Sequence, residues 1–391
     1  MNSIMTNSGY PHIDRPWLKY FSEMDKDMPL PENSIFCYLR QCSKDILNCT
    51  ALNYFNNKIS YSMLLKHIDD CAKALAHCGV KQGDIVSVCM LTVPEAVYLL
   101  YGINKLGAIS NMLKFGDPEE QIRASLNETK TKVVVTIAPM AEAISRAIEG
   151  TGIRAIVTVD FSDSMSGTTK AAAKILHPGK RSPGYIKWDE FIKAGVAELP
   201  AEPAVKADDA AVILYTGGTT GEPKGVVLSN RNLNAVAFFY CNSSGMIKCR
   251  KGDTFLDIVP PFLAYGVSFG LHFPAIAGFE NILVPDLDPN HFSKFFYKNK
   301  PNHFSGGPLH IENMVKHGPG SQDNMAYAVT AAYGGDGTNE EWEERINSFL
   351  LSHGANPLMK GYGIHGTASP YYQFSCFRIK RPGKPCTATS V

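Results

Sequence analysis

Between Asn57 and Val159 the chain alternates between two hydrophobic periods. Leu64, Leu65, Ile68, Cys71, Ala72 and Leu75 recur at the spacing of one helix face, and Gly79 ends the run. The unbroken apolar stretch Ile85 to Leu91 has the length of a buried strand. A helix is predicted from Pro94 to Leu106, stopped by Gly107. A short strand near Ile109 to Leu113 and a helix after Asp117-Pro118 follow, then strands at Val133 to Ile137 and Ile153 to Val159. Apolar strands separated by helices of roughly ten or more residues predict βαβ units, and therefore a parallel sheet covered on both faces.

Two stretches interrupt the alternation. Phe161 to Pro183 is rich in Ser, Gly, Lys and Pro and reads as a loop insertion, and Leu199 to Asp208 reads as a linker. Beyond it, strands are predicted at Ala210 to Tyr215, Phe255 to Val259, Ile282 to Val284 and Tyr327 to Tyr333, with helices over Ser293 to Lys298 and Glu340 to Leu351. There is no internal repeat. The expected organisation is an N-terminal extension (1–30), a first α/β subdomain (31–205, with the insertion at 161–183) and a second α/β subdomain (206–391).

Composition narrows the function classes. Of 391 residues 45% are apolar, which excludes a disordered or fibrous chain. Lys and Arg number 38 against 37 Asp and Glu, so no global field draws the chain to nucleic acid or anionic lipid. The most apolar stretch, Gly266 to Phe279, is broken by His272 and Pro274 and is shorter than the ~20 residues of a membrane span, so no integral membrane segment is expected. The N-terminus has neither the basic nor the apolar region of a secretory signal, and ten cysteines carry no CxxC or metal spacing. The expected compartment is the reducing cytoplasm. A homodimer is compatible with the sequence. Charge is unevenly placed: the 47 residues after Glu344 hold six Lys or Arg and no carboxylate.

The most informative segment is Tyr215 to Gly225, YTGGTTGEPKG, between an apolar strand and the short strand Val226 to Leu228. Gly217, Gly218 and Gly221 put no side chain between backbone amides and a ligand. Thr216, Thr219 and Thr220 add hydroxyl donors, and Lys224 adds a positive charge. Three hydroxyls, free amides and one lysine within about ten residues suit a polyphosphate. It is not a Walker A loop, because no glycine adjoins Lys224 on its N-terminal side.

This loop resembles the signature [YF]T[SG]GTTGxPKG of the adenylate-forming superfamily of acyl-CoA synthetases, luciferases and peptide-synthetase adenylation domains. Residues 59–88 and 106–135 look like the family's first helix and strand and its next two units, and LSNRNL (228–233) resembles its LSHRNL with Asn230 in place of His. GGDGTNEEW (334–342) is similar to the family's adenine-pocket segment, and Gly361-Tyr362-Gly363 to the start of its YGxTE motif. The likeness runs from about residue 30 to the C-terminus.

The resemblance implies an α/β fold of two stacked, mostly parallel sheets covered by helices. It implies ATP-dependent activation of a carboxylic acid to an acyl-adenylate, with Mg²⁺, and then transfer to coenzyme A. Thr216, Gly217, Gly218, Thr219, Thr220, Gly221 and Lys224 would hold the phosphates, with Thr219, Thr220 and Lys224 as the catalytic set. Gly334, Gly335 and Asp336 would line the adenine, and the Tyr362 ring would lie against it. Phe262, Tyr265, Gly266 and Gly307 are candidates for the acyl pocket.

The chain also departs from the pattern. YGxTE reads YGIHG, so His365 stands where the family has Thr and Gly366 where it has the magnesium-binding Glu; a two-residue slip brings Thr367 to the Thr position. The ribose-binding Asp, the hinge Arg and the small C-terminal lid with its Lys fall beyond Val391 by the resemblance. Leu263 stands where a His is common. A catalytically incomplete relative that binds nucleotide or acyl ligand is therefore the alternative. Two further patterns compete. Gly266-Val-Ser268-Phe-Gly270 satisfies the GxSxG of hydrolases, with Asp286, Asp336 and His353 in triad order; Gly361 to Gly366 satisfies GxGxxG, without a following acid.

Overall fold

The computed structural model describes residues 10, 28–153, 155–176, 184–199, 201–216, 223–242, 247–318, 324–334, 337–361, 377–379 and 387–389. In chain order, helix α1 (Ile35–Cys42) precedes strands β1 (Thr50–Tyr54) and β2 (Asn57–Ser60). Then come α2 (Tyr61–His77), β3 (Ile85–Cys89), α3 (Pro94–Lys105), β4 (Ile109–Met112), α4 (Glu119–Glu128), β5 (Val133–Ile137), α5 (Ala141–Ile148) and β6 (Ala155–Val159). Helix α6 (Gly167–Leu176), β7 (Ile186–Lys187), α7 (Trp188–Lys193), β8 (Ala210–Tyr215), β9 (Gly225–Ser229) and α8 (Asn230–Asn242) follow. The remainder comprises β10 (Thr254–Asp257), a π-helical turn (Gly266–His272), α9 (Phe273–Ala277), β11 (Glu280–Leu283), α10 (Phe292–Asn299), β12 (His303–Gly306), α11 (Pro308–Lys316), β13 (Thr330–Tyr333), α12 (Glu340–Ser352) and β14 (Leu358–Lys360). A short antiparallel ribbon pairs Phe377–Ile379 with Thr387–Thr389.

All five residues of β5 are buried, as a strand covered on both faces requires. Helix α2 starts on Ser60, whose hydroxyl accepts from Met63 N–H, and Gly79 follows its end at φ 82°. Helix α3 has Pro94 in its first turn and buries every residue from Pro94 to Asn104, so it runs through the interior. It lies close to α2 at Gly102, where a Cβ would stand 3.1 Å from Cys71 Sγ.

Two seven-stranded sheets result. The first runs β7-β6-β5-β3-β4-β8-β9 and the second β14-β13-β12-β10-β11-β1-β2. Neighbours pair in parallel except at one edge of each sheet, where β8–β9 and β1–β2 are antiparallel hairpins. The βαβ expectation for 57–159 is met; strand sorting around it differs. The phosphate-loop strands join the first sheet, Asn111 of β4 opposite Ile213 of β8, so residue 205 does not separate the sheets. Conversely β1 joins the second sheet, Leu52 opposite Asn281. The hairpin β1–β2 turns on Phe55 and Asn56, both at positive φ, a two-residue turn without the usual glycine. The stretch 161–183, read as a loop, contains α6.

One continuous core serves both sheets, and a second cluster including Phe292, Phe296, Phe304 and Met314 lies with the later strands. Across the first core runs a polar path. Tyr101 Oη lies 2.9 Å from His272 Nδ1, and His272 Nε2 lies 3.0 Å from Asn234 Oδ1. Burial drives the His272 imidazole down to about 3, so the ring is neutral and fixes the π-helical turn against α3 and α8. No helix among the described residues is long and apolar enough to cross a membrane.

Candidate nucleotide and acyl site

The first sheet ends in the β8–β9 hairpin, whose two strands flank the glycine-threonine segment in the sequence. Tyr215 pairs with Gly225, the last rung of the ladder. Beyond it Thr216 N–H donates to the Lys224 carbonyl at 3.1 Å, and Lys224 N–H donates to Thr216 Oγ1 at 3.2 Å. These two bonds close the neck and leave the Lys224 side chain exposed to solvent. Gly217, Gly218, Thr219, Thr220 and Gly221 lie outside the described residues, as do Gly335, Asp336, Tyr362, His365, Gly366 and Thr367.

The second sheet brings Gly306, Gly307, Gly334 and Gly361 together where β12, β13 and β14 meet the loops at their ends. Gly334 N–H donates to Gly306 O at 3.2 Å, and Gly361 N–H donates to Tyr333 O at 2.7 Å. A Cβ at Gly334 would stand 2.8 Å from Gly361 O, so only glycine fits between these strands. Gly307 N–H is taken by His310 Nδ1 at 3.1 Å. Burial holds the His310 imidazole below its usual range, as an accepting neutral ring requires. Open α/β sheets bind ligands at the carboxyl ends of their strands, where these glycines sit.

Beside them a network fixes the segment that follows Gly334. Lys360 Nζ reaches Glu343 Oε1 at 2.6 Å and Thr338 Oγ1 at 3.1 Å, and Thr338 Oγ1 lies 3.0 Å from Tyr333 Oη. The Lys360 contact comes next after burial among the influences on Glu343 and holds its carboxyl below the usual range. Thr338 lies in the 334–342 segment that the sequence singled out, but sequence reading missed Lys360 and Glu343: nothing local marks them as partners, and they meet only because β14 lies beside β13.

The candidate acyl residues follow β10. Phe262 is buried, and the half-buried Tyr265 ring stacks on Phe269 at 5.2 Å with planes 8° apart. Gly266 opens the π-helical turn, and a Cβ there would lie 1.9 Å from the Pro260 carbonyl. Ser268 is buried in that turn, its hydroxyl donating to Ala264 O at 2.5 Å. A nucleophile elbow needs an exposed hydroxyl at a strand-to-helix turn, so the hydrolase reading of GxSxG is set aside.

Beneath the turn lies a polar layer that sequence reading also missed. Asp257 is fully buried, its Oδ1 accepts from Val259 N–H at 3.1 Å, and its Oδ2 has no partner among the described residues. Asn281 donates to Gly270 O at 2.8 Å, and a Cβ at Gly270 would stand 2.6 Å from Asp257 Oδ1. Ser305, on β12, is buried with an unpartnered hydroxyl among the described residues. Burial pushes the Asp257 carboxyl up to about 8, so it is neutral at physiological pH. The only available signal was a carboxylate inside the apolar run Phe255 to Val259.

The profile of the AMP-binding enzyme family matches residues 39–390. The long-chain-fatty-acid–CoA ligase of Bacillus subtilis is 26% identical over 369 residues, covering 91% of this chain and 64% of that protein. Acetyl-coenzyme A synthetase 1 of Pseudomonas aeruginosa is 25% identical, covering 74% of this chain and 45% of that protein. The chain thus spans less than two thirds of the length of these relatives. Among solved structures, the anthranilate CoA ligase AuaEII in complex with anthranoyl-AMP superposes with a TM-score of 0.72 at 18% identity, over 87% of this chain and 61% of that one. The N-terminal domain of FACL13 from Mycobacterium tuberculosis superposes with a TM-score of 0.67 at 20% identity, over 85% of this chain and 76% of that one. Fold, loop and profile agree: the chain belongs to the AMP-binding enzyme family.

Proposed function

We propose that the protein activates a carboxylic acid with ATP, forming an acyl-adenylate and pyrophosphate, and passes the acyl group to the thiol of coenzyme A. The β8–β9 hairpin supports this reading: a closed neck carries the exposed Lys224 at the carboxyl end of a strand, and the sequence between its strands is rich in glycine and threonine. A carboxylate is a poor electrophile, and AMP gives it a leaving group. Carboxylate attack on the α-phosphate requires two anions held in line, which dense donors achieve. In this reading Thr216, Gly217, Gly218, Thr219, Thr220, Gly221 and Lys224 hold the phosphates. Gly334, Gly335 and Asp336 flank the adenine, Tyr362 covers it and Thr367 meets the α-phosphate. Phe262, Tyr265, Gly266 and Gly307 bound the acyl chain.

Magnesium enters with the nucleotide, as part of the substrate. By the resemblance Gly366 stands at the family's Glu position and offers the ion no ligand there.

The test is acid-dependent pyrophosphate release, with mass-spectrometric detection of acyl-AMP, over a panel of short, long and aromatic acids. Release and adduct with at least one acid support the proposal. The His365 and Gly366 replacements favour a second reading, a ligand-binding relative without turnover. Measurable ATP binding with no release from any acid would support that reading instead.

A further inference from the structure

We propose that Tyr215 is a positioning residue for the phosphate loop, tying the neck of the β8–β9 hairpin into a buried hydrogen-bond chain that crosses the first sheet. The inference rests on the reading of that loop as a triphosphate site. Tyr215 is the last paired residue of β8, one step from the Thr216–Lys224 closure. Its ring is fixed on one side by the hairpin itself: a Cβ at Gly225 would stand 3.4 Å from both Tyr215 Cε1 and Ile213. On the other side its hydroxyl leaves the hairpin. Ser125 of α4 donates to Tyr215 Oη at 2.5 Å.

The chain continues inward from there. Asn111 of β4 donates through Nδ2 to Ser125 Oγ at 3.2 Å and to Ser87 Oγ of β3 at 2.7 Å. The Ser87 and Thr131 hydroxyls are 2.7 Å apart, and Thr131 lies 2.8 Å from Thr129 at the end of α4. Ser87 and Asn111 are fully buried and Ser125 is 6% exposed, so the inner bonds of the chain are shielded from water, while the Tyr215–Ser125 bond at its outer end is half-buried. Burial also raises the Tyr215 phenol, which therefore stays a hydroxyl through the neutral range.

Packing of a strand end needs only an aromatic ring. A hydroxyl joined to residues on β3, β4 and α4 adds a fixed point, placed where the chain leaves the sheet for a segment with three glycines and three threonines. Thr216 and Lys224, bonded to each other one step beyond this fixed point on the hairpin, are held in place through it, so removing the hydroxyl loosens the neck that carries Lys224 and lowers nucleotide affinity without touching the ligand.

The test uses the full chain, MgATP titration calorimetry and thermal unfolding. Tyr215→Phe keeps the ring and removes the hydroxyl; Ser125→Ala cuts the bond from the other end. Each variant is expected to bind MgATP at least fivefold more weakly. The double variant is expected to lie within about twofold of the weaker single one, because both cut one link. Ser125→Thr, which keeps a hydroxyl, is expected to restore binding, and acid KM is expected to stay constant. An unchanged Kd in both single variants, whatever their melting temperatures, leaves the chain a structural role only and overturns the proposal. So does multiplication of the two effects in the double variant. A wild-type protein that binds no MgATP overturns the triphosphate reading itself.

Discussion

Asp257→Asn separates a buried neutral acid from an ordinary carboxylate. Asp257 is fully buried, no cation pairs with it among the described residues, and burial lifts its folded pKa to about 8. In the unfolded chain it titrates near the ordinary Asp value of about 3.9. The folded state therefore holds a proton that the unfolded state releases. The resulting stability is fully present below about pH 4 and declines as pH rises, until the folded group ionises near pH 8. Each pH unit inside that window costs about 1.4 kcal/mol, so moving from pH 5 to pH 7 costs about 3 kcal/mol through this residue alone. Asparagine keeps an oxygen for Val259 N–H and cannot ionise. The assay is urea unfolding of wild type and Asp257→Asn at both pH values. Glu95, raised to about 7 by burial, and His272 titrate in both proteins and cancel in the difference. The wild type is expected to lose about 3 kcal/mol more than the variant. Parallel pH dependence in the two proteins would refute the neutral-acid assignment.

Other substitutions probe the site more locally. Lys224→Ala removes one charge-assisted contact, on the order of 1.5–3 kcal/mol, and should weaken MgATP binding about 10- to 150-fold by calorimetry; an unchanged Kd would remove Lys224 from the phosphate site. Gly266→Ala drives a methyl into the Pro260 carbonyl, 1.9 Å away, and should lower the unfolding free energy by about 1–3 kcal/mol or more; a wild-type urea midpoint would show that the turn is not so constrained. Ser268→Ala deletes only the bond to Ala264 O, so it should cost about 1 kcal/mol of stability and leave acid activation intact; loss of all activity with native stability would reinstate a nucleophilic role.

The sequence made some of this visible for physical reasons. Strands such as Val133–Ile137 are covered on both faces and read as apolar runs, and the helices between them carry their own period and stops. The phosphate loop was legible because its chemistry is contiguous: donors, glycines and a lysine lie within eleven residues, 215–225. Sheet membership was not legible. The pairing of β1 with β11 joins residues more than 200 positions apart, and no local pattern records it. The turn at Phe55-Asn56 was missed because it lacks glycine. Asp257, Asn281 and Ser305 form a layer only through the register of β10, β11 and β12, and single polar residues in apolar strands do not announce their neighbours.

The central claim is reversible formation of an acyl-adenylate, and exchange of labelled pyrophosphate into ATP measures it directly. Label is expected to appear in ATP only when an acid of the right class is present, with exchange reduced in Lys224→Ala at subsaturating ATP. Absence of exchange with every acid of the panel, in protein that binds MgATP, would contradict the claim.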